Sequence, residues 1–177
     1  MASRVLIIGA YGNFGARITR ALAADKNIKV LIAGRSQARC EKLARELQGS
    51  PNLPLFHVLD IHKDLAPVLA QLKPDITIHT SGPYQGQGYE VAEACLNAGS
   101  HYIDLADGRD FVAGIGRLNE LAKSKSLCVI TGASSVPCLS SAVIDHYLPA
   151  FKTLEAVDYG ITTARPGNLG LARRAGF

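Results

Sequence analysis

Three glycines near the start of the chain, Gly9, Gly12 and Gly15, stand where an apolar run gives way to a helical pattern. The run from Val5 to Ile8 predicts a buried strand. Gly9 would let the backbone turn sharply at the strand end, Gly12 would let phosphate groups approach the backbone, and Gly15 would let the helix pack closely on the strand. The N-terminus of the helix attracts an anion. This order predicts a pyrophosphate site of a nicotinamide dinucleotide, in which the residues between the glycines take part: Tyr11, Asn13 and Phe14.

The spacing of these glycines is GxxGxxG, which is one residue off the GxGxxG fingerprint. A glycine triplet by itself is a weak signal. An ordinary glycine-rich turn between a strand and a helix therefore remains an alternative at this point.

The end of the second predicted strand, Ile28 to Ala33, bears on which dinucleotide is bound. In NAD sites an acidic residue about 20 positions past the glycines holds the ribose 2′-hydroxyl. Here Arg35 stands at that position, followed by Ser36, and Arg39 lies one helical turn further on. A guanidinium forms a bidentate contact with phosphate. The sequence therefore predicts NADP in preference to NAD, with a solvated Arg35 as the alternative.

The composition is that of a folded domain with a sizeable core. The 177 residues are 47% hydrophobic and 19% charged, with a net charge of +4. The basic residues are scattered and Trp is absent, so we expect no nucleic-acid partner. No apolar run approaches the length of about 18 residues that a membrane span needs, and no signal pattern opens the chain. We expect a cytoplasmic protein without a membrane partner.

The four cysteines and five histidines show no metal-ligand spacing, so no metal site is predicted. Cys95 and Cys128 lie in apolar patterns that predict reduced core residues. For Cys138 a buried thiol is favoured over a nucleophile. His79 and His101 are interpreted as structural, and we assign no catalytic residue.

Strand and helix patterns alternate along the chain. This alternation predicts a doubly wound parallel sheet with helices on both faces, a three-layer α/β/α arrangement. The predicted strands are 4–8, 28–33, 55–59, 76–79, 101–105 and 127–131, and the predicted helices are 13–24, 37–48, 63–72, 87–98, 109–124 and 140–148.

In such sheets ligands bind outside the carboxyl ends of the strands. Asp60 follows the third strand, where it either accepts from the adenine amino group or caps the next helix. Tyr84 is interpreted as a wall of the cofactor site, and Asp104 ends the fifth strand. In the segment 131–138, Ser134, Ser135 and Pro137 either line the nicotinamide end or cap the next helix. The turn after the fourth strand is predicted to contact the cofactor through Ser81, Gly82 and Pro83.

Five motifs together resemble the NADP-binding domain of saccharopine dehydrogenase-like oxidoreductases: GAYGNFG, IAGRS, TSGPYQGQG, ACLNAGSHYIDLADG and TGASSVP. The resemblance covers residues 4 to about 148. It implies a Rossmann-type domain that binds NADP(H), with Arg35 and Ser36 at the 2′-phosphate. The chain departs from many relatives at Ala106-Asp107-Gly108 and Pro137-Cys138, which leaves the substrate open.

The resemblance also implies a second domain that follows the first and forms the substrate site and a homodimer. We therefore expect residues 1–150 to be the NADP-binding domain, and 151–177 to begin a truncated second domain or to form a disordered tail. A strand is predicted over 154–163. The expected function is hydride transfer to or from a small-molecule substrate, an amino acid or imine, with no activity in this fragment alone. The alternative is a non-catalytic NADP(H)-binding redox sensor.

Overall fold

The computed structural model describes residues 2–160 of the chain. Six strands form one sheet in the order β3-β2-β1-β4-β5-β6, and every pair is parallel. That order is the one of the Rossmann fold, so the predicted fold class is confirmed. The strands are β1 (Ser3–Ile8), β2 (Ile28–Gly34), β3 (Leu55–Val58), β4 (Ile76–His79), β5 (His101–Asp104) and β6 (Val129–Ile130).

The first six α-helices connect successive strands, and the seventh follows the last strand. A 3-10 turn over Ile115–Leu118 separates the fifth and sixth, and another, Leu148–Ala150, follows the seventh. The α-helices are α1 (Asn13–Ala23), α2 (Gln37–Glu46), α3 (Leu65–Leu72), α4 (Glu90–Asn97), α5 (Arg109–Gly114), α6 (Asn119–Ser124) and α7 (Ser140–Tyr147).

Both faces of the central strand β1 are buried, because side chains alternate between the two faces of a sheet. Leu6 and Ile8 pack in a cluster with residues of α3 and α4. Val5 and Ile7 pack in a second cluster with residues of α1 and α2. The residues of β1 form a nearly continuous apolar run because helices cover both faces of the strand, as is typical of a parallel sheet between two helical layers.

The register brings the carboxyl ends of β1 and β4 side by side. Ile8 pairs with Ala33 of β2 on one side and with His79 of β4 on the other. The chain leaves β1 toward β2 and reaches β4 only after β3, so the strand order reverses between β1 and β4. A crevice at such a point is where doubly wound sheets bind ligands.

Three predicted elements differ from the observed ones. The predicted helix 109–124 is divided by the 3-10 turn that contains Gly116, because glycine disfavours a helix interior. The predicted strand 127–131 is reduced to β6, which pairs only with β5. The predicted strand 154–163 is wrong over 154–160, where no neighbouring strand pairs with the backbone. Residues 161–163 and the basic tail lie outside the described residues.

The cysteine predictions are confirmed only in part. Cys95 is buried in the core, but Cys128 and Cys138 are exposed. Cys128 directly precedes the short edge strand β6, and Cys138 lies in the turn after it, so neither reaches the core. No helix within residues 2–160 is long and apolar enough to cross a bilayer.

Candidate functional site

A cleft of about 330 Å³ lies at the carboxyl ends of β1, β2 and β4. It forms at the crevice where the strand order reverses. Most of the residues that the sequence singled out line it, namely Gly9, Tyr11, Gly12, Arg35, Asp60, Ser81, Gly82 and Pro83. Asn13, Phe14 and Gly15 form the first turn of α1, and Ser36 precedes α2; these four do not line the cleft themselves.

The turn between β1 and α1 requires its glycines for different reasons. Gly9 has φ 80°, a left-handed conformation that L side chains rarely adopt. A Cβ atom added to Gly15 would overlap the carbonyl oxygen of Gly9, so Gly15 lets the helix approach the turn closely. Gly12 is exposed to the cleft and its N–H donates to the carbonyl of Gly9 at 2.9 Å. The loop therefore presents bare backbone to the cleft at Gly12.

The N-terminus of α1 makes this end of the cleft favourable for an anion. The helix has 11 residues, no acidic residue lies in its first turn, and its N-cap residue, Gly12, has no side chain to cap it. Uncapped N–H groups and the helix dipole attract negative charge. A pyrophosphate group suits this position, which is the chemistry that the glycine spacing predicted.

The turn after β2 carries a cationic edge of the cleft. Arg35 is exposed and lines the cleft. The Ser36 hydroxyl accepts a hydrogen bond from the N–H of Arg39 at 3.4 Å, so its own proton remains available for donation. Neither Arg35 nor Arg39 forms an ion pair within residues 2–160. This edge can therefore bind a phosphate without breaking an existing ion pair.

Asp60 also lines the cleft, just after β3, the strand that pairs with β2. One carboxylate oxygen accepts from the N–H of His62 at 3.1 Å, and the other lies 3.8 Å from Lys63 Nζ. The residue that precedes α3 is Asp64, so Asp60 caps the turn before this helix and not the helix itself. The helix-cap alternative for Asp60 is therefore wrong, and its contact with the adenine amino group stays a prediction that its place in the cleft lining allows.

The segment after β4 is fixed by a side chain that sequence reasoning missed. Gln87 lines the cleft, and its side-chain amide donates to the carbonyl of Ser81 at 3.2 Å and to the carbonyl of Pro83. The Thr80 hydroxyl donates to the carbonyl of Ile8 at 2.9 Å and so joins this segment to β1. Both residues belong to the motif TSGPYQGQG, so the sequence contained a motif that could have identified them. Ile61 and His62 also line the cleft, but no sequence motif pointed to them.

Tyr84 is not a wall of the cofactor site, and that interpretation is wrong. Its ring is buried in a cluster with Ala106 and Phe111, and its hydroxyl donates to the carbonyl of His79 at 2.6 Å. Burial raises the pKa of this phenol above its ordinary value. Tyr84 therefore stabilises the core behind the segment 80–83 and is unsuited to donate a proton to a substrate.

The segment after β6 does not reach the cleft. Ser134, Ser135 and Pro137 are absent from its lining, and none of their side chains caps α7 among the described residues. The helix-cap alternative given for them is therefore wrong, whereas a place at the nicotinamide end stays a prediction. The segment turns because the N–H of Leu139 donates to the carbonyl of Ser134 at 3.1 Å.

A second, more apolar groove of about 540 Å³ lies between α2 and the edge strand β3. Its lining includes Ala44, Leu53, Leu55 and Phe56, and its charged side chains Glu41 and Arg45 pair with each other at 3.8 Å. The groove lies away from the glycine turn and offers no convergent polar groups. We therefore place the functional site at the smaller cleft, where the backbone and side-chain donors converge.

The chain matches a family model described as the saccharopine dehydrogenase NADP-binding domain over residues 5–130. It is 32% identical over 111 residues to carboxyaminopropylagmatine dehydrogenase from Synechocystis sp., a match that covers 59% of this chain and 26% of that protein. The chain therefore spans about a quarter of the length of this relative.

Solved structures show the same fold. Apo saccharopine dehydrogenase (L-Glu forming) from Saccharomyces cerevisiae superposes with a TM-score of 0.65 at 22% identity, over 84% of this chain and 32% of that one. Biliverdin reductase from Synechocystis sp., solved with biliverdin and NADP⁺, gives a TM-score of 0.56 at 19% identity, over 82% and 42%.

Proposed function

Because this chain belongs to the family of saccharopine dehydrogenase NADP-binding domains, we propose that it moves a hydride, together with a second domain, to or from an amino acid or an imine-like substrate. Membership in the family confirms the predicted cofactor, NADP. When it is bound, the nicotinamide of NADP supplies the site that accepts or donates the hydride. The protein contributes binding, orientation and electrostatics.

The observation that carries the proposal is the chemistry of the cleft. The bare backbone of Gly12 and the N-terminus of α1 would hold the pyrophosphate. Arg35, with Ser36 beside it, would bind the 2′-phosphate that distinguishes NADP from NAD. Ser81, Gly82 and Pro83 would pack against the part of the cofactor that leads to the nicotinamide. The donor set thus fits a multiply phosphorylated dinucleotide.

The substrate class is supported by the names of two relatives. One is a dehydrogenase of carboxyaminopropylagmatine, and the other is a saccharopine dehydrogenase that forms L-glutamate. The compound in each of these enzyme names contains an amine and a carboxyl group, and oxidation of such a compound at the amine passes through an imine. We extend this substrate class, without the individual compounds, to the present protein.

A second domain and a homodimer formed through it belong to the same proposal. Residues 139–159 carry several exposed large apolar side chains that suit burial by further protein: Leu139, Val143, Tyr147, Leu148, Phe151, Leu154, Val157 and Tyr159. Tyr84 would not be the proton donor of the reaction, since it is buried away from the cleft.

The alternative function, a binding module that senses the NADP(H) redox state without turnover, makes use of the same cleft. It requires only that the cleft binds the cofactor, with no proton donor beside it. The two functions differ in one measurable property. The enzyme, assayed as the full-length protein, oxidises amino acids or reduces imines with NADP(H), whereas the module binds both redox states and turns over neither.

The cofactor assignment is tested by titrating the 177-residue chain with NADPH and with NADH, followed by nicotinamide fluorescence and by the melting temperature. A ligand at 100 times its Kd stabilises the folded state by roughly 2.7 kcal/mol, so the melting temperature should rise. We expect tighter binding of NADPH than of NADH, and we expect Arg35→Ala to abolish that preference.

The matched control is Arg45→Ala, which removes the same charge from the exposed last turn of α2. It should leave both dissociation constants unchanged. If neither dinucleotide binds to the unmodified chain, the proposed use of the cleft is wrong. If Arg35→Ala weakens NADPH and NADH equally, the assignment of Arg35 to the 2′-phosphate is wrong.

A further inference from the structure

Tyr11 joins the glycine turn to the turn that follows β2. Its phenol oxygen accepts a hydrogen bond from the N–H of Ser36 at 3.1 Å. Its ring lies against Gly34, where an added Cβ atom would overlap the ring edge. Only glycine at position 34 leaves space for the ring in this place. Tyr11, which belongs to the glycine turn, thus also holds in place the backbone that carries Arg35 and Ser36.

Tyr11 also contacts Arg39, which lies in the first turn of α2. The guanidinium carbon of Arg39 lies 5.7 Å above the centroid of the Tyr11 ring, within the range of a cation–π interaction. The backbone N–H of Arg39 is held by Ser36 Oγ. Two separate contacts, one to its side chain and one to its backbone, therefore keep Arg39 beside the turn.

The charges around this turn are unbalanced. Arg35 and Arg39 are both exposed, and neither has a carboxylate partner within residues 2–160. The N-terminus of α2 adds partial positive charge, and no acidic residue lies in the first turn of this helix. Holding two guanidinium groups close to a helix N-terminus is unfavourable without an anion. A phosphate group at this turn removes that repulsion.

We propose that Tyr11 is a positioning residue for cofactor specificity: it holds the turn 34–36 in place and presents Arg39 as a second cation for the 2′-phosphate beside Arg35. This inference rests on the proposed function, because it concerns the same cleft. It adds a role for Tyr11 that is distinct from contact with the cofactor. Pre-organisation of the two cations lowers the entropy cost of binding the phosphate.

The test uses three substitutions in the 177-residue chain. Tyr11→Phe removes the hydrogen bond to Ser36 but keeps the ring. Tyr11→Leu removes the ring and the contact with Arg39, and Arg39→Ala removes the cation. For each variant, the Kd values of NADPH and NADH are measured at low and at high salt, and Arg45→Ala serves as the charge-matched control. Thermal melts of the free variants show that each one is folded.

We expect Tyr11→Leu and Arg39→Ala each to raise the Kd of NADPH by about tenfold, as for the loss of one charge-assisted contact, and that of NADH by less than about twofold. Tyr11→Phe should have an intermediate effect. The double variant that combines Tyr11→Leu and Arg39→Ala should bind NADPH no more weakly than the weaker of the two single variants, because both changes remove the contact between Tyr11 and Arg39. The loss should shrink at high salt.

Equal weakening of NADPH and NADH by Tyr11→Leu would show that Tyr11 only packs against the cofactor, and this would overturn the proposal. Additive effects in the double variant would also overturn it, since they would separate Tyr11 from Arg39. Failure of the unmodified chain to bind either dinucleotide would instead reject the proposed function. The outcomes are therefore distinguishable.

Discussion

Thr131 donates its hydroxyl to the buried carboxylate of Asp104, with its Oγ1 at 2.8 Å and 2.9 Å from the two carboxylate oxygens. The same carboxylate accepts from the N–H groups of Ala106 and Gly132, each at 2.9 Å. Asp104 thereby ties the end of β5 to the start of the segment after β6. The carboxylate at the end of the fifth strand is therefore a structural acceptor.

Replacement of Asp104 should destabilise the protein to an extent that depends on the substituent. Asp104→Ala leaves two buried amides and the half-buried Thr131 hydroxyl without an acceptor, so we expect a loss of about 3 kcal/mol. Asp104→Asn keeps an oxygen for the two amides and can donate to Thr131, so its loss should be about 1 kcal/mol. Urea unfolding measures both values, and equal losses would contradict this account of the donors.

Gly15→Ala should destabilise the fold by about 1–3 kcal/mol, because the added methyl group overlaps the backbone of the glycine turn, which cannot move aside as a side chain can. The control is Gly116→Ala, where nothing lies within 4 Å of the added Cβ atom. We expect its free energy of unfolding to stay within about 0.5 kcal/mol of that of the unmodified chain. Similar melting temperatures for the two variants would refute the close approach at Gly15.

His79 should make the stability of the protein depend on pH. Its ring is buried, Nδ1 lies 3.0 Å from the Tyr102 hydroxyl, and Nε2 has no partner among residues 2–160. Burial lowers the pKa of His79 from 6.5 to about 4. The unfolded chain therefore binds more protons between these values, so stability that is present above pH 6.5 is lost as the pH falls toward 4.

We expect this loss to be about 2 kcal/mol between pH 8 and pH 5, measured as the free energy of unfolding in urea. The pKa of His57 is also lowered by burial, so the contribution of His79 is the difference between the unmodified chain and His79→Gln. His146→Gln, at an exposed position, should keep the full pH dependence. An unchanged pH dependence in His79→Gln would contradict the prediction.

The cysteines should react with a thiol reagent in two groups. Cys128 and Cys138 are exposed and should react rapidly at pH 8 in the native protein. Cys40 and Cys95 are buried, and burial raises their pKa values to about 11 and about 12. They should react only after unfolding. Serine variants of the exposed pair should lose the rapid phase, and rapid reaction of a third thiol would contradict the burial of the core cysteines.

The sequence by itself determined the order of elements, the fold class and the position of the glycine turn. These features depend on local signals: apolar runs for β1 and β2, a glycine with φ 80° after β1, and charged residues at a fixed distance beyond it. Arg35 could be predicted for the same reason, since its position relative to Gly9 is set by the length of one strand–helix–strand unit.

Only the tertiary structure decided which polar side chains face the cleft and which support the core. Tyr84 and Asp104 lie near strand ends as Arg35 does. Contacts with the distant residues Phe111 and Thr131, respectively, bury them. The contact between Tyr11 and Ser36 joins residues 25 positions apart. Sequence periodicity cannot specify such contacts, because they depend on how neighbouring strands bring distant segments together in space.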